Sequence, residues 1–461
     1  MTEKIYVITD LGQGDGGKGT VVHKVATMTD AVCVAKTGGF QGSHGMWNSD
    51  GQHFGFSQFG CGTFEGIKTH ITPLMVASPE GWLNEGNALR YQYGIHNAFD
   101  LLTIDERALC ATPYHGIASR LKELARGNNP RGTVGTGAGE TYRYSHKYPD
   151  LTIRAGDLLR SDLRDRLIDI REQIRENLDS IIKEEFLPAD RDTAEKEIAL
   201  LYDDGFLDYI AGRFQKAGRE ASIVDSDYFE REILSQDGIV VVERSHGVLT
   251  HPENGFHPHT NAIPTLPCFV RNMLKEAGYD GPIVDIGVTR AYAISHGARP
   301  MPTADPAMAE SLLPGSHKEK NRYQGEVRVG PLDLVLLHYA IEVCGGPSAF
   351  AGLAITWFDQ IQANGKWNLC DRYQNADNRI FFTPSGAIKV RRGTDEKQLE
   401  YQEALGNELL RCKPEITTLA LPPTAIREEL FSFCAGVLEP RLGVPVRMVS
   451  FGPTELDKVC I

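Results

Sequence analysis

Two glycine-rich segments near the start of the chain hold the residues best suited to chemistry. The first segment runs from Gly12 to Thr20 and has five glycines in its first eight positions. It follows an apolar run at residues 5–8 and precedes apolar positions within 21–25, so we expect it to join a strand to a helix. Uncovered N–H groups at a helix N-terminus, together with the helix dipole, favour phosphate. The segment is therefore predicted to bind the phosphates of a nucleotide.

This first segment fits two general phosphate-binding patterns, neither of them fully. Gly12, Gly17 and Lys18 have P-loop spacing, but Gly19 stands where a Ser or Thr hydroxyl would bind Mg²⁺. The dinucleotide pattern G-x-G-x-x-G also fits, yet the next strand-like run ends at Lys36 and not at an acid that would hold a ribose. A tight strand-to-helix turn without a ligand is the third interpretation.

A carboxylate and an imidazole lie within the two segments. Asp15 would repel phosphate unless it holds a metal ion or takes a proton. His44 lies in the second segment, Thr37 to Gly45, which follows a strand-like run at residues 31–35. Open parallel sheets bind ligands outside the carboxyl ends of their strands, and a histidine there can donate to a phosphate oxygen. His44 alone would more often be a surface or structural histidine, but the presence of Asp15 in the first segment favours a functional role for both.

The order of several motifs resembles that of the adenylosuccinate synthetase family. The resemblance runs from residue 4 to residue 459, and this breadth makes it more specific than any one motif. The matching segments are Gly14–Gly19, Gly38–His44, Gly132–Gly139, Gly156–Leu158, Val288–Tyr292, Gly297–Thr303, Gly330–Asp333 and Ser450–Pro453.

The resemblance implies an α/β fold with a large mixed, mainly parallel sheet covered by helices. It also implies a carbon–nitrogen ligase that joins L-aspartate to the 6-position of a purine nucleoside monophosphate through a 6-phosphoryl intermediate. A nucleoside triphosphate is cleaved in this reaction, with Mg²⁺ as cofactor. Phosphoryl transfer needs positioning and charge neutralisation more than covalent help from the protein.

The resemblance also assigns roles to the two segments. Asp15 would take the proton from purine N1 and bind Mg²⁺, and His44 would stabilise charge on the transferring phosphoryl group. The backbone carbonyl of Ser43 would be a further metal ligand. The phosphates would be bound by Gly14, Gly16, Gly17, Lys18, Gly19 and Thr20.

The site for the purine monophosphate departs from the family pattern at two positions. His246 stands where the family has a Gln that contacts the 6-oxo group, and Val134 stands where it has a Thr. The residues expected to bind the monophosphate are Gln41, Gly42, Thr133, Val134, Lys147, Arg154, His246 and Thr260.

The site for the base of the triphosphate departs as well. The family recognises guanine with T-K-x-D, whereas this chain has Trp357 in place of the Lys, followed by Asp359. Trp357 could stack on any purine, so ATP or dATP is the expected donor, and Trp357 as a core residue is the alternative. Gly452 and Pro453 complete the expected base site.

The arginine-rich loop that holds aspartate in the family is also altered. Only Arg322 and Arg328 remain to give the bidentate carboxylate recognition typical of arginine. Altered loops of this kind resemble the phage branch of the family, which acts on dGMP. We therefore expect a guanine-type acceptor. An enzyme that uses IMP with GTP, a different P-loop-like kinase and a nucleotide sensor without ligase activity stay open.

Several apolar runs are predicted to be the strands that position these loops. They lie at 4–10, 31–36, 239–243, 283–288 and 352–356. The expected organisation is a sheet core from 1–160 and 220–395, a helical subdomain at 161–219, and a C-terminal subdomain at 396–461. Segment 312–330, with Lys318 and Glu319, is predicted to be a loop that orders with aspartate.

Bulk properties narrow the class of protein. The chain has 461 residues and a net charge of −13, which argues against general binding to nucleic-acid backbones. No apolar run approaches the roughly 18 residues of a membrane span, and the start shows no signal peptide. We expect a cytoplasmic protein without nucleic-acid or membrane partners, and a homodimer by resemblance to the family.

Overall fold

The computed structural model describes residues 1–183, 186–316 and 320–461. Its strands are β1 Thr2–Asp10, β2 Cys33–Gly39, β3 His44–Trp47, β4 His53–Phe56, β5 Lys68–Ala77, β6 Leu102–Asp105, β7 Leu109–Cys110, β8 Ser222–Val224, β9 Gly238–Gly247, β10 Ile283–Arg290, β11 Ala293–His296, β12 Val327–Gly330, β13 Leu332–Asp333, β14 Gly352–Thr356, β15 Lys366–Tyr373, β16 Pro414–Ala420, β17 Val446–Ser450 and β18 Lys458–Cys460. Its helices are α1 Lys18–Met28, α2 Pro79–Gln92, α3 Pro113–Ala125, α4 Ala138–Lys147, α5 Leu163–Ile182, α6 Arg191–Leu200, α7 Asp204–Glu220, α8 Pro267–Glu276, α9 Pro306–Ser316, α10 Leu334–Val343, α11 Phe358–Asn364, α12 Glu396–Leu409 and α13 Arg427–Leu442. Among the helices in these ranges, none is long and apolar enough to cross a membrane.

The main sheet has eleven strands within the described ranges. Its order is β18-β17-β14-β10-β1-β9-β2-β5-β6-β8, with β7 beside the end of β5. All its strand pairs are parallel except β17 with β18. The five predicted strands are β1, β2, β9, β10 and β14, which are adjacent in the centre of this sheet. The prediction of a mixed, mainly parallel α/β sheet is confirmed.

The central strands are apolar on both faces. In β1, Ile5 and Val7 face a core that includes Met273 and Leu274 of α8. Ile8 faces the opposite core, which includes Val21 and Val22 of α1. Parallel sheets are buried on both faces in this way, because their crossover helices cover both sides. This arrangement leaves the carboxyl ends of the strands as the place for loops.

The helical segment predicted at 161–219 contains α5, α6 and α7. In α5, Leu163, Leu167, Ile170 and Ile174 recur at helical spacing and are buried, so one face of the helix packs on the body of the protein. The segment 396–461 supplies β17, which pairs with β14, and β18 at the edge of the main sheet. The division into subdomains stays a prediction.

The prediction of a loop over 312–330 is wrong at both of its ends. Helix α9 extends to Ser316, and β12 begins at Val327. Strand β12 pairs with β11 in a two-stranded ribbon, with Ser295 opposite Arg328. Lys318 and Glu319 lie outside the described residues. Pairing with β11 therefore fixes the register of β12.

Candidate active site

The candidate site is a cavity of about 1050 Å³ at the carboxyl ends of the central strands. Segments that follow β1, β2, β9, β14 and β17 form much of its wall. Ligands bind at this edge in open α/β sheets. The predicted site residues that line the cavity are Gly14, Asp15, Gly17, Lys18, Gly19, Thr20, Gln41, Gly42, Ser43, His44, Thr133, Val134, His246, Thr260, Trp357, Asp359, Gly452 and Pro453.

The loop from 11 to 17 is held by a buried carboxylate at the end of β1. Asp10 Oδ1 accepts a hydrogen bond from the Gly12 N–H at 2.8 Å, and Oδ2 accepts one from the Gly16 N–H at 2.8 Å. Asp10 Oδ2 also lies 2.9 Å from Lys18 Nζ. A Cβ atom on Gly16 would lie 2.6 Å from Asp10 Oδ2, so a glycine is required there. Gly16 thus supports the loop from behind the cavity wall.

Helix α1 begins at Lys18 with its N-terminus at the cavity. Gly17 caps it in the left-handed conformation, with φ 82°, and no acidic residue lies in its first turn. The unpaired N–H groups and the positive end of the dipole therefore suit an anion.

Gly19 departs from the P-loop pattern for a steric reason. A Cβ atom at Gly19 would lie 2.9 Å from His44 Cβ and 3.1 Å from the Gly45 carbonyl oxygen. A Ser or Thr would therefore clash with the strand that carries the imidazole. The glycine allows the start of α1 and His44 to lie against each other.

Asp15 is fixed by residues that the sequence did not indicate. Its carboxylate Oδ2 lies 2.5 Å from His296 Nε2, at the end of β11. Its backbone carbonyl accepts a hydrogen bond from Arg290 Nε at 2.6 Å. Both His296 and Arg290 line the cavity. The ribbon β11–β12 and strand β10 thus orient the predicted catalytic carboxylate.

His44 is oriented by Glu243 on the neighbouring strand β9. His44 Nδ1 lies 2.6 Å from Glu243 Oε1, and Lys36 Nζ lies 2.7 Å from the same oxygen. Glu243 Oε2 accepts the Cys61 N–H at 2.9 Å. Lys36 and Glu243 are direct partners across the β2–β9 ladder, and both side chains are fully buried. An ion pair inside the sheet therefore sets the position of the imidazole.

Burial and charge act in opposite directions in this group. Burial alone would raise the pKa of the Glu243 carboxyl, but Lys36 and His44 outweigh it and hold that pKa well below its usual range. Burial lowers the pKa of His44, although Glu243 opposes this change. The neutral ring therefore donates from Nδ1 to Glu243, which leaves Nε2 for a ligand.

Three residues with positive φ and a side chain line the cavity. Asp15, His246 and Trp357 have φ values of 59°, 66° and 60°. In the described ranges, the one other such residue is Asp30, at the end of α1. Each left-handed non-glycine residue costs roughly 1–3 kcal/mol and persists only where its surroundings fix it. Strain is thus concentrated at this site.

His246 lines the part of the cavity where the purine monophosphate is predicted to bind. Its Nε2 atom is buried and has no hydrogen-bond partner among the described residues. Burial, with added repulsion from Lys18 and Arg299, lowers the pKa of His246 to about 3. The ring is therefore neutral near pH 7, and its nitrogen can form a hydrogen bond with a ligand.

Trp357 lies where α11 begins, in the part of the cavity predicted to bind the base of the triphosphate. The Arg290 guanidinium lies 4.3 Å from its ring centroid, in a cation–π contact. The Trp357 side chain is half-buried against the core next to α11, and its predicted role of stacking on a purine stays a prediction. Thr20 Oγ1 donates to the Pro453 carbonyl at 3.1 Å, which joins the start of α1 to the segment after β17.

Besides Gly16, four predicted ligand-binding residues do not line the cavity of this chain. Lys147 Nζ donates to Asn177 Oδ1 at 3.4 Å, and Arg154 Nη1 donates to the Arg107 carbonyl at 2.7 Å. Arg322 Nη2 donates to Asp190 Oδ1 at 3.0 Å, on an exposed surface. Arg328 Nη2 donates to the Arg299 carbonyl at 2.6 Å, behind the cavity wall. The roles predicted for all four stay predictions.

The residues predicted to hold Mg²⁺ offer oxygen atoms, which this cation prefers. Asp15 and Ser43 both line the cavity, so the donor set fits the cofactor. A second group, His44, Cys61 and Glu243, has its ligand atoms within 4.8 Å of one another. Burial and then Glu243 raise the pKa of Cys61 far above its usual value, so the thiol stays protonated. That group orients His44 and does not suit Mg²⁺.

Sequence reasoning missed the residues that support the site. Lys36 and Glu243 are charged residues within apolar strand-like runs, and Asp10 ends such a run. A charge in that position is rarely buried without a partner, so these three could have been found. His296 follows no pattern that the chain alone reveals, and Arg299 lies in the matching segment Gly297–Thr303 but was given no role.

Comparison with known proteins gives a consistent result. The family model described as "Adenylosuccinate synthetase" matches residues 7–459. A curated adenylosuccinate synthetase from Dehalococcoides mccartyi is 27% identical over 411 residues, which cover 87% of this chain and 84% of that protein. The solved structure of fully ligated adenylosuccinate synthetase from Plasmodium falciparum is similar with a TM-score of 0.71 and 17% identity, covering 99% of each chain. The succinoaminodeoxyadenylate synthetase of cyanophage S-2L, bound to dGMP and dATP, has a TM-score of 0.55 and 14% identity, covering 100% of this chain and 96% of that one.

The ion pair behind His44 predicts a large effect on stability. Glu243→Gln leaves Lys36 buried without a charge partner, so we expect the free energy of unfolding to fall by about 3–5 kcal/mol. Urea denaturation measures it. Glu415→Gln is the matched control, because Glu415 pairs with Arg372 at the surface, and we expect no measurable change there. Equal effects of the two substitutions would contradict a structural role for Glu243.

The neutral ring of His246 predicts a dependence of stability on pH. Below the ordinary value of 6.5 the unfolded chain binds a proton that the folded ring does not take until about pH 3. The contribution of His246 to stability is therefore lost as the pH falls from 6.5. In His246→Gln we expect a smaller loss of stability between about pH 7.5 and about pH 5 than in the wild type, measured by urea denaturation. The exposed His96→Gln serves as control, and an unchanged profile in His246→Gln would refute the assignment.

Proposed function

The chain belongs to the adenylosuccinate synthetase family, and from this premise we propose that its acceptor is a guanine nucleotide, with dGMP favoured, and its donor ATP or dATP. As a member of the family it is a carbon–nitrogen ligase of purine biosynthesis. The reaction we propose joins L-aspartate to the 6-position of the acceptor and gives an N6-succino-2-aminopurine nucleotide. The observation that carries the reaction is that Asp15 and His44 line one cavity at the N-terminus of α1.

The first step makes O6 a leaving group. Asp15 takes the N1 proton, O6 attacks the γ-phosphorus of the triphosphate, and the bond to the diphosphate breaks. His296 holds one oxygen of the Asp15 carboxylate, which fixes the orientation of the carboxylate that takes the proton. Asp15 and the Ser43 carbonyl would hold Mg²⁺, which supplies neutralisation of phosphate charge when bound.

His44 acts on the charge that moves in this step. Its Nδ1 is committed to Glu243, so only Nε2 can serve the phosphates. Bound phosphate favours the protonated ring, which then donates from Nε2 to the transferring group or the diphosphate. In the second step the aspartate amine attacks C6, and the 6-phosphate departs.

The choice of a guanine acceptor is supported by the departures around the base. Guanine differs from hypoxanthine by its 2-amino group, which needs space and a hydrogen-bond acceptor. His246, at the position that the resemblance places against the 6-oxo group, has a buried Nε2 without a partner among the described residues, and Val134 replaces a hydroxyl of the family pattern. The cyanophage protein of similar fold was solved with dGMP and dATP.

A second candidate is the conversion of IMP with GTP. The curated relatives are named adenylosuccinate synthetase, which favours this reaction. Asp359 retains the acid of the family's guanine-binding motif and lines the cavity. The proposal for the donor depends instead on Trp357, whose ring offers a stacking surface without selecting a base.

An acceptor panel tests this function. The protein is incubated with Mg²⁺, aspartate, one of ATP, dATP or GTP, and one of IMP, GMP or dGMP, and the succinyl adduct is detected by mass spectrometry. We expect product from dGMP with ATP or dATP. Product only from IMP with GTP would establish the second candidate instead. A phosphorylated purine without aspartate consumption would indicate a kinase, and no product would favour a sensor.

Two substitutions test the catalytic assignment. Asp15→Asn and His44→Ala are each expected to lower kcat at least about a hundredfold, because each removes one proton acceptor or one charge-stabilising group. The matched control for the first is Asp30→Asn, since Asp30 is also left-handed but does not line the cavity. The exposed His96→Ala is the control for the second. Near-normal turnover of either catalytic variant would remove that residue from the mechanism.

A further inference from the structure

Arg299, a half-buried arginine of the cavity wall, has no carboxylate hydrogen-bond partner among the described residues. Arg299 follows β11, and its guanidinium donates only to backbone carbonyls. Nη1 donates to the Gln13 carbonyl at 3.2 Å, and Nε donates to the His259 carbonyl at 3.2 Å. A half-buried cation without an anion is poorly solvated, so its position is explained best by a ligand that supplies the anion.

Other cations of the cavity wall differ from Arg299 in their contacts. Arg290 also has no carboxylate partner within the described ranges, but its guanidinium donates at 2.6 Å and 2.7 Å and lies over the Trp357 ring. Arg131 is exposed. Lys18 pairs with Asp10, Arg126 with Glu123 and Arg143 with Glu140, at distances of 2.9, 2.5 and 3.0 Å. Their charge is already balanced by this chain. Arg299 therefore differs from them in having its charge available for a ligand.

Arg299 contacts the loop that carries Asp15, because its Nη1 donates to the carbonyl of Gln13, two residues before Asp15. Its charge acts on both Asp15 and His246, the two residues proposed to contact the purine base. Burial lowers the pKa of Arg299 to about 10, and Asp15 opposes this change, so the guanidinium stays charged. The triphosphate, by contrast, is met by the N-terminus of α1.

The ribbon β11–β12 fixes Arg299 relative to the loop from 11 to 17. Arg328 of β12 donates Nη2 to the Arg299 carbonyl at 2.6 Å. Ser295 Oγ donates to Gln13 Oε1 at 2.5 Å, and Gln13 Nε2 donates to the Pro300 carbonyl at 2.6 Å. Arg328 thus holds the backbone that carries the guanidinium.

We propose that Arg299 binds a carboxylate of the amino-acid substrate, and that Arg328 is a positioning residue for it. The inference rests on the proposed function, because aspartate must bring its amine to C6 beside Asp15. A carboxylate matches the paired N–H donors of a guanidinium. A bound carboxylate would accept from Arg299 in place of the His259 and Gln13 carbonyls, so that charge-assisted hydrogen bonds would replace two bonds of 3.2 Å. The sequence placed this role on Arg322 and Arg328, which do not line the cavity.

The test compares KM values for the three substrates. In Arg299→Gln we expect the KM for aspartate to rise about 10-fold to 100-fold, with the KM of both nucleotides within about threefold of wild type. Arg299→Lys keeps the charge but loses the paired donors, so it should show a smaller rise. Arg328→Met should raise the same KM less than Arg299→Gln, and Arg328→Gln, which keeps an N–H donor, should recover part of the loss.

Arg372→Gln is the matched control, since it removes an arginine from an exposed ion pair outside the cavity. Melting temperatures of all variants establish that they fold. If Arg299→Gln does not fold, Arg299→Lys decides, and an unchanged KM for aspartate in that variant overturns the proposal.

Two further outcomes would overturn it. A rise confined to the KM of a nucleotide in Arg299→Gln would mean that Arg299 binds phosphate. A rise in the KM for aspartate in Arg322→Gln but not in Arg299→Gln would return the role to the exposed arginine. If wild type forms no aspartate adduct with any acceptor, the proposed function fails and this inference fails with it. If the wild type forms the aspartate adduct but the Arg299 variants do not change the KM for aspartate, the inference fails and the proposed function stands.

Discussion

Two buried carboxylates at the ends of adjacent strands determine the geometry of the site. Asp10 at the end of β1 holds loop 11–17 and Lys18, and Glu243 in β9 holds His44 and Lys36. Each carboxylate joins a backbone N–H or imidazole to a lysine inside the sheet. Removal of one member of such a group leaves a charge in a medium that solvates it poorly. The sheet can therefore carry two loops whose positions relative to each other vary little.

The rigid positioning of these loops makes the local strain at the cavity possible. Asp15, His246 and Trp357 adopt left-handed conformations that disfavour residues with side chains. Arg290 links two of these residues, because its Nε binds the Asp15 carbonyl and its guanidinium lies over the Trp357 ring. One side chain therefore connects the part of the cavity predicted to bind the purine monophosphate with the part predicted to bind the base of the triphosphate.

The sequence allowed the centre of the sheet to be predicted, and less of what lies around it. Strands such as β1 and β9 are continuous apolar runs, because parallel strands are buried on both faces. Asp15 and His44 could be located because glycine-rich turns at strand ends have few other uses. The partners of these residues could not, because His296 approaches Asp15 from 281 positions further along the chain. The register of β11 against β12 brings it there, and that register depends on pairing that no local pattern reveals.

The charge of the molecule places a further limit on how the site can work. The chain carries a net charge of −13, yet its proposed ligands are all anions. Lys18, Arg126 and Arg143 have their charges balanced by carboxylates of the same chain, so they orient donors without making the cavity strongly positive. Under the proposed function, phosphate is then bound chiefly by backbone N–H groups at the start of α1, and Mg²⁺ held by Asp15 and Ser43 would neutralise it further. Selection among anions at such a site depends on position and shape, and we propose that Arg299, which has no carboxylate partner among the described residues, contributes to it by binding a carboxylate ligand.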